Sequence, residues 1–159
     1  MLAMGDFENS LVIMSQVLRS KRKNLGYNHP EVATVLNTMG VLHYELGGNV
    51  AAKKSFEESL EIQQKGNHHS NTVGGMELSL LLIATLNNLG FIHYEQKNYS
   101  EAIIALGDSY KIQQDNQEKN KIKQQTLENL AYVMAVNSYK DGKGCLKELS
   151  AMYIEMLQN

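Results

Sequence analysis

His43-Tyr44-Glu45 and His93-Tyr94-Glu95 each place an imidazole, a phenol and a carboxylate on consecutive residues. Such a set could supply a general base with an orienting acid, and two histidines could hold a metal ion. The spacing argues against both. The histidines occupy the same place in two repeated units, so they stand roughly 10 Å or more apart on neighbouring helices. A hydrogen-bonded packing role is expected for each. His68-His69 has no cysteine or acidic ligand set nearby, and Cys145 has no histidine near it in sequence. Asp141-Gly142-Lys143-Gly144 lacks the spacing of a phosphate loop and follows no strand, so it is read as a turn. Ser20-Lys21-Arg22-Lys23 could be a nuclear address, but cations at a helix C-terminus are expected from the helix dipole alone. No nucleophile, base and orienting acid come together at any spacing. The expectation is a protein that is not an enzyme, with no cofactor and no metal.

What must position these residues is a repeat. Leu36-Asn37-Thr38-Met39-Gly40-Val41-Leu42-His43-Tyr44-Glu45 returns fifty residues later as Leu86-Asn87-Asn88-Leu89-Gly90-Phe91-Ile92-His93-Tyr94-Glu95. The echo continues in Ala52 and Ala102, Ser59 and Ser109, and Ile62-Gln63-Gln64 and Ile112-Gln113-Gln114. A period of this size indicates stacked units, each too small to bury its own apolar face.

Apolar residues recur at steps of three and four and almost never alternate, which is the helical period. Phe7, Leu11, Met14 and Leu18 share one face of a first helix, capped by Asp6 and closed near Lys23. Pro30 starts a second, where its missing N–H costs nothing, and Gly47-Gly48 stops it. Asn49 is expected to cap a third helix running to about Lys65, and Asn98 with Glu101 to open a fifth. The fourth is placed at about 76 to 96, a sixth at about 120 to 139, and a seventh ends near Leu157. The fold class is all-α: an α-α superhelix, a right-handed solenoid of antiparallel helix pairs with about seven helices. Residues 1–159 form one such solenoid, with 1–24 the second helix of an incomplete repeat, repeats at 27–66 and 76–117, and a degenerate repeat at 120–157.

Composition narrows the partner. With 159 residues, 43% apolar, the chain is long enough for one domain. A net charge of −2 provides no basic face for nucleic acid. Apolar runs such as Leu78 to Ala84 are far below the ~20 residues needed to cross a bilayer. The single cysteine suits a reducing compartment, so a cytoplasmic protein is expected.

Gly40 and Gly90 sit inside helices, where each costs about 1 kcal/mol relative to alanine, so a second helix is expected to approach closely there. Ala52 and Ala102 offer small surfaces for that approach, while Phe56 and Leu106 fill the space beside them. Ala131 takes the corresponding place in the last unit.

These positions resemble the tetratricopeptide repeat. With Gly40 as its small eighth position, Met39, Gly40, His43, Gly47, Ala52, Phe56 and Ser59 fall on signature sites, and so do Leu89, Gly90, His93, Tyr99, Ala102, Leu106 and Ser109. The pattern departs at His43 and His93, where tyrosine is usual, and at Lys97, which replaces the mid-turn glycine. Gly5 to Gly47, Met14 to Phe56 and Leu18 to Leu60 step by 42 residues, and Leu25-Gly26-Tyr27-Asn28-His29-Pro30-Glu31-Val32-Ala33 with Leu36-Asn37 is similar to the longer repeat of kinesin light chains. The fifty-residue step is then a 42-residue unit with an insertion around Asn67 to Met76.

The resemblance implies that the first helix of each pair lines a concave groove. Asn37, Thr38, Val41 and Tyr44 come there from one unit, Asn87, Asn88, Phe91 and Tyr94 from the next, and Asn129 and Tyr132 from the last. It also implies that Asn37, Asn87, Asn88 and Asn129 hold the backbone of an extended peptide, since an amide both donates and accepts. The alternative is that these asparagines bond to neighbouring helices. Tyr44 and Tyr94 could anchor a ligand or pack between units. The expected function is a scaffold or adaptor binding a peptide or partner protein, with no nucleic acid and no membrane. The alternative is a self-assembly module or a fragment of a longer array, associating through terminal helices that expose Val12, Val17 and neighbouring apolar residues.

Overall fold

A computed structural model describes residues 4–66, 75–115 and 121–141. All the secondary structure among them is helical: α1 (Met4–Leu25), α2 (Pro30–Glu45), α3 (Asn49–Gly66), α4 (Gly75–Glu95), α5 (Tyr99–Asp115) and α6 (Lys121–Asp141). The helices pack as antiparallel pairs. The expected seventh helix, His68-His69, Cys145 and most of the 67–76 insertion lie outside the described residues. The chain divides into two compact units after Thr85, within α4.

Local chemistry sets the helix ends. α1 closes on Gly26, whose φ of +88° needs no Cβ and whose N–H donates to the Arg22 carbonyl at 3.0 Å. His29 then caps α2, its Nδ1 accepting the Glu31 N–H at 3.2 Å, and Pro30 follows in the first turn. At the far end of α2, Gly47 N–H donates to Tyr44 O and Gly48 N–H to His43 O, both at 2.8 Å, a pairing that answers two carbonyls the helix itself leaves open. The same bonds, at 2.9 Å, end α4 through Lys97 and Asn98.

Two caps differ from expectation. Asn49 is the first helical residue of α3, not its cap: the chain has already turned at Gly47-Gly48, so the Gly48 carbonyl receives the Ala52 N–H at 2.9 Å. Asp6 lies within the first turn of α1, which starts at Met4. Asn98 does stand before α5, its carbonyl accepting the Ala102 N–H at 3.0 Å.

In the first unit, Leu18, Val32, Ala33, Val35, Leu36, Met39 and Ile62 form a buried cluster, with Leu11, Met14, Val17 and Leu81 packed against it. In the second, Ala102, Leu106, Leu130 and Val133 do the same, flanked by Tyr94, Tyr99, Ile103 and Met134. The helical glycines explain how close the pairs come. A Cβ built on Gly40 would lie 2.4 Å from the Phe56 ring, and one on Gly90 would lie 2.7 Å from Leu106 Cγ. The closest neighbour is thus the large residue. Gly40 makes room for the Phe56 ring itself, and beside Leu106 a Cβ on Gly90 would also lie 3.5 Å from the Ala102 carbonyl oxygen.

On α3, Lys53 pairs with Glu57 at 3.8 Å as the spacing predicts. Lys54 and Glu58 stand at the same i,i+4 spacing but are not paired with each other. Glu58 pairs with Arg22 of α1 instead, because the two helices bring a guanidinium within reach of its carboxylate.

Candidate partner-binding site

Asn37 and Asn87 are held by a buried polar network that appears in each unit. In the first, Ser59 Oγ donates to the Ala33 carbonyl at 2.7 Å, which leaves that oxygen only able to accept. Gln63 Nε2 donates to it at 2.8 Å and to Thr85 Oγ1 at 2.9 Å. Thr85 Oγ1 lies 3.1 Å from Asn37 Oδ1 and 2.8 Å from the Leu81 carbonyl. In the second unit, Gln113 Nε2 reaches Ser109 Oγ and Thr126 Oγ1, each at 3.1 Å, and Asn87 Nδ2 donates to Thr126 Oγ1 at 3.0 Å. Ser59, Thr85 and Ser109 are fully buried, and Gln63, Gln113 and Thr126 nearly so. Such groups would be costly left unpaired, so the network fixes which helix faces which.

Asn37 and Asn87 therefore bond to neighbouring helices, as the alternative had it. Both remain half-exposed. Each carboxamide has more hydrogen-bonding capacity than these contacts use.

The second unit adds a cavity. About 220 Å³ is enclosed by Asn87, Gly90, Phe91 and Tyr94 of α4, Leu106 of α5, and Asn129, Tyr132 and Val133 of α6. Gly90, Leu106 and Val133 form a buried apolar floor, and the absent Cβ of Gly90 lets Leu106 sit high in it. Phe91 and Tyr132 stand on the rim, 46% and 59% exposed. Tyr94 ties the walls together. Its ring lies 5.7 Å from that of Tyr132, tilted by 59°, and 5.9 Å from that of Tyr99. The Tyr94 and Tyr132 hydroxyls are 3.3 Å apart. That hydrogen bond, with burial next, holds the Tyr94 phenol above its ordinary value. Asn129 Oδ1 accepts from Gln125 Nε2 at 3.2 Å on the exposed side of α6.

Five of the predicted residues, Asn87, Phe91, Tyr94, Asn129 and Tyr132, thus line one cavity. Asn88 is half-buried on α4 and does not line it. Asn37, Thr38, Val41 and Tyr44 lie on α2 in the first unit, where Val41 is 40% exposed and Thr38 Oγ1 donates back to the Thr34 carbonyl at 3.1 Å. His43 and His93 are half-buried near the ends of α2 and α4, and each contributes its backbone carbonyl to the turn that follows. Among the described residues, no three His, Cys, Asp or Glu side chains group to hold a metal, and no helix is long and apolar enough to cross a membrane.

Antiparallel helix pairs, closed by one kind of turn and packed through one kind of glycine contact, define a helical-repeat protein. Tetratricopeptide repeat models match residues 1–65 and 82–115, together more than half of the sequence. The chain belongs to the tetratricopeptide repeat family, whose repeats generally mediate protein–protein interaction and are typically not catalytic. Among solved structures it is similar to BtubC (BKLC) from P. vanneervenii, with a TM-score of 0.69 and 20% identity, over 98% of this chain and 59% of that one. It is also similar to a candidate kinesin light chain with nearly identical TPR-like repeats from Podosopora anserina, with a TM-score of 0.63, 16% identity, and 98% and 71% of the two chains covered. Its structural neighbours are thus kinesin light chain-like repeat proteins, and it spans 59% of the length of BtubC. No curated protein matches the sequence.

Proposed function

We propose that this chain is a non-catalytic scaffold or adaptor that holds a peptide or partner protein against the α4–α6 cavity of its second unit. The observation that carries this is the convergence of Phe91, Tyr94 and Tyr132 with Asn87 and Asn129 on one cavity whose rim is aromatic and exposed. A partner's apolar side chain would enter over Leu106 and Val133, covering Phe91 and Tyr132. The two asparagines would hydrogen-bond the backbone on either side of it. On α2, Thr38, Val41 and Tyr44 with Asn37 offer a corresponding surface in the first unit, and Asn88 offers a further amide on α4. A lone cysteine in the sequence supports placing the protein in the cytoplasm.

The test is capture of partners from the source cells by the intact chain, repeated with Phe91→Ala and Tyr132→Ala. Loss of the same partner with both variants, and retention with Lys53→Glu on α3, supports the cavity. Binding that survives both rim changes and is lost with Lys53→Glu would move the site to α3. A second reading, self-assembly, is favoured by Val12 and Ile13, 59% and 55% exposed on α1. Sedimentation over a wide concentration range would decide it: association suppressed by charges at Val12 and Ile13 supports that surface, and a monomer throughout defeats it.

A further inference from the structure

At the C-terminal end of α1, Ser15, Leu18, Arg19, Arg22, Lys23 and Tyr27 surround an open pocket of about 440 Å³. Its cations recur at steps of three and four and so share one helix face. Arg22 is braced: its guanidinium pairs with Glu58 of α3, and its Cζ lies 5.3 Å from the centroid of the Tyr27 ring. One donor of that group, the buried Nε–H, has no acceptor among the described residues.

Among the described residues, no carboxylate pairs with the other two cations. Lys21, on the opposite side of the helix, is paired with Glu31, and on α3 Glu57 and Glu61 are taken by Lys53 and Lys65. Arg19 and Lys23 are exposed and form no ion pair among the described residues. Three cations against one carboxylate leave an excess of two, reduced to about one and a half by the negative end of the α1 dipole, which matches the charge of about −1.5 to −2 on a phosphomonoester near neutral pH. A single carboxylate would leave part of it uncompensated.

We propose that this pocket binds a phosphorylated side chain of a protein partner, with Arg19 and Lys23 contacting the phosphate oxygens and Arg22 forming a positioned wall. Arg19 offers a planar fork of donors and Lys23 a mobile point charge, a combination suited to a tetrahedral dianion. The surroundings favour a protein phosphate over a membrane. Anionic bilayers are held by clusters of roughly four to eight basic residues, and here two uncompensated cations stand on a chain of net charge −2. The exposed Val12, about one turn before Ser15 on this side of α1, adds an apolar contact for the residues flanking the phosphate.

Fluorescence anisotropy on the full chain tests this with a labelled alanine-leucine peptide carrying one phosphoserine, beside its serine and glutamate versions. Expected is saturable binding of the phosphopeptide alone, displaced by inorganic phosphate and weakened about a hundredfold in Arg19→Ala/Lys23→Ala, since each of the two charge-assisted contacts contributes on the order of a factor of ten. Binding should also weaken from about pH 7.5 to about 5.5, as the phosphate takes up its second proton near pH 6. Tyr132→Ala in the α4–α6 cavity should leave it unchanged, which separates this site from the proposed partner-binding cavity. Circular dichroism would establish that the double variant is folded. No saturable binding, equal binding of the serine or glutamate peptide, or full binding by the folded double variant would overturn the proposal. Capture on phosphatidylserine vesicles that inorganic phosphate does not compete would overturn it in favour of a membrane.

Discussion

Gln63 Nε2 donates to Thr85 Oγ1 at 2.9 Å, and both side chains are buried. The same glutamine also holds Ser59, and the same threonine touches Asn37, so one bond ties α2, α3 and α4 together. Thr85→Val keeps the shape and removes the hydroxyl, leaving a buried amide donor short of an acceptor. Urea unfolding should show a loss of about 1–3 kcal/mol. Gln63→Leu combined with Thr85→Val should cost less than the sum of the single changes, because no orphan donor then remains at that contact. Strict additivity would show that the two side chains are not coupled.

Gly40→Ala should destabilise although alanine is the better helix former. Its Cβ would enter the Phe56 ring at 2.4 Å, and moving that ring disturbs a packed core. Overpacking of this kind costs about 1–3 kcal/mol, more than the roughly 1 kcal/mol gained in helix propensity. Phe56→Ala should cost about 3–5 kcal/mol by opening a cavity. Thermal melts of both variants check this, and parental stability in Gly40→Ala would mean that the helices do not approach as closely as described.

Lys97 should be a site where stability can be gained. It has φ +61° at the turn where the first unit has Gly47 at φ +76°. Only glycine adopts this region without steric penalty, so Lys97→Gly should stabilise by up to about 1 kcal/mol, part of the gain being lost to the entropy of the unfolded chain. Gly47→Ala should destabilise by about 1 kcal/mol. A Cβ on Gly47 would meet nothing within 4 Å, so that cost belongs to the backbone alone. Chemical denaturation of the two variants with opposite signs is the expected outcome.

The Tyr94–Tyr132 hydroxyl contact has a pH signature. Tyr94 titrates above its ordinary 10.0, chiefly through its hydrogen bond to Tyr132. A raised pKa in the folded state means that folding favours the protonated phenol. The stabilisation is complete below the unfolded-state value and is lost as pH rises through the folded-state value. Unfolding curves should therefore show a fall in stability above about pH 10 that is smaller in Tyr132→Phe. Phenolate absorbance should show one tyrosine titrating late in the parent and earlier in that variant.

The fold was legible because its signals are local and doubled. Helical periodicity, Pro30, Gly47 and the fifty-residue echo place all six described helices within a few residues. The caps were misplaced where a different local solution was already complete: Gly48 had finished the α2–α3 turn before Asn49 could serve it, and histidine, seldom read as a cap, holds the start of α2. The cavity was half legible. Repetition pointed to Asn87, Phe91 and Tyr94, but it gave no means of deciding that Asn87 would spend hydrogen bonds on Thr126, a partner at a forty-one-residue step from Thr85 that follows no single period. Ser59 and Gln63 were seen as an echo and not as buried donors, because burial of a polar side chain depends on what lies opposite. Glu58 chose Arg22 over Lys54 for the same reason.

The buried network also sorts the helices. In the preceding repeat, by the 42-residue step, Ser59 and Gln63 correspond to Val17 and Lys21, and Thr85 corresponds to Val35 by the fifty-residue step. Val17 packs against the apolar cluster containing Val35, and Lys21 turns away to Glu31. A chain of near-copies runs the risk of docking the wrong copy while it folds. Here α1 in the place of α3 would set a valine and a lysine against the Thr85 hydroxyl, and α3 in the place of α1 would bury a glutamine against Val35. Each exchange strands a polar group, a penalty that falls on the mismatch and not on the native pairing. The junctions thus behave as keyed connectors, polar with polar and apolar with apolar, so that the order of helices is written into their chemistry as well as their sequence along the chain.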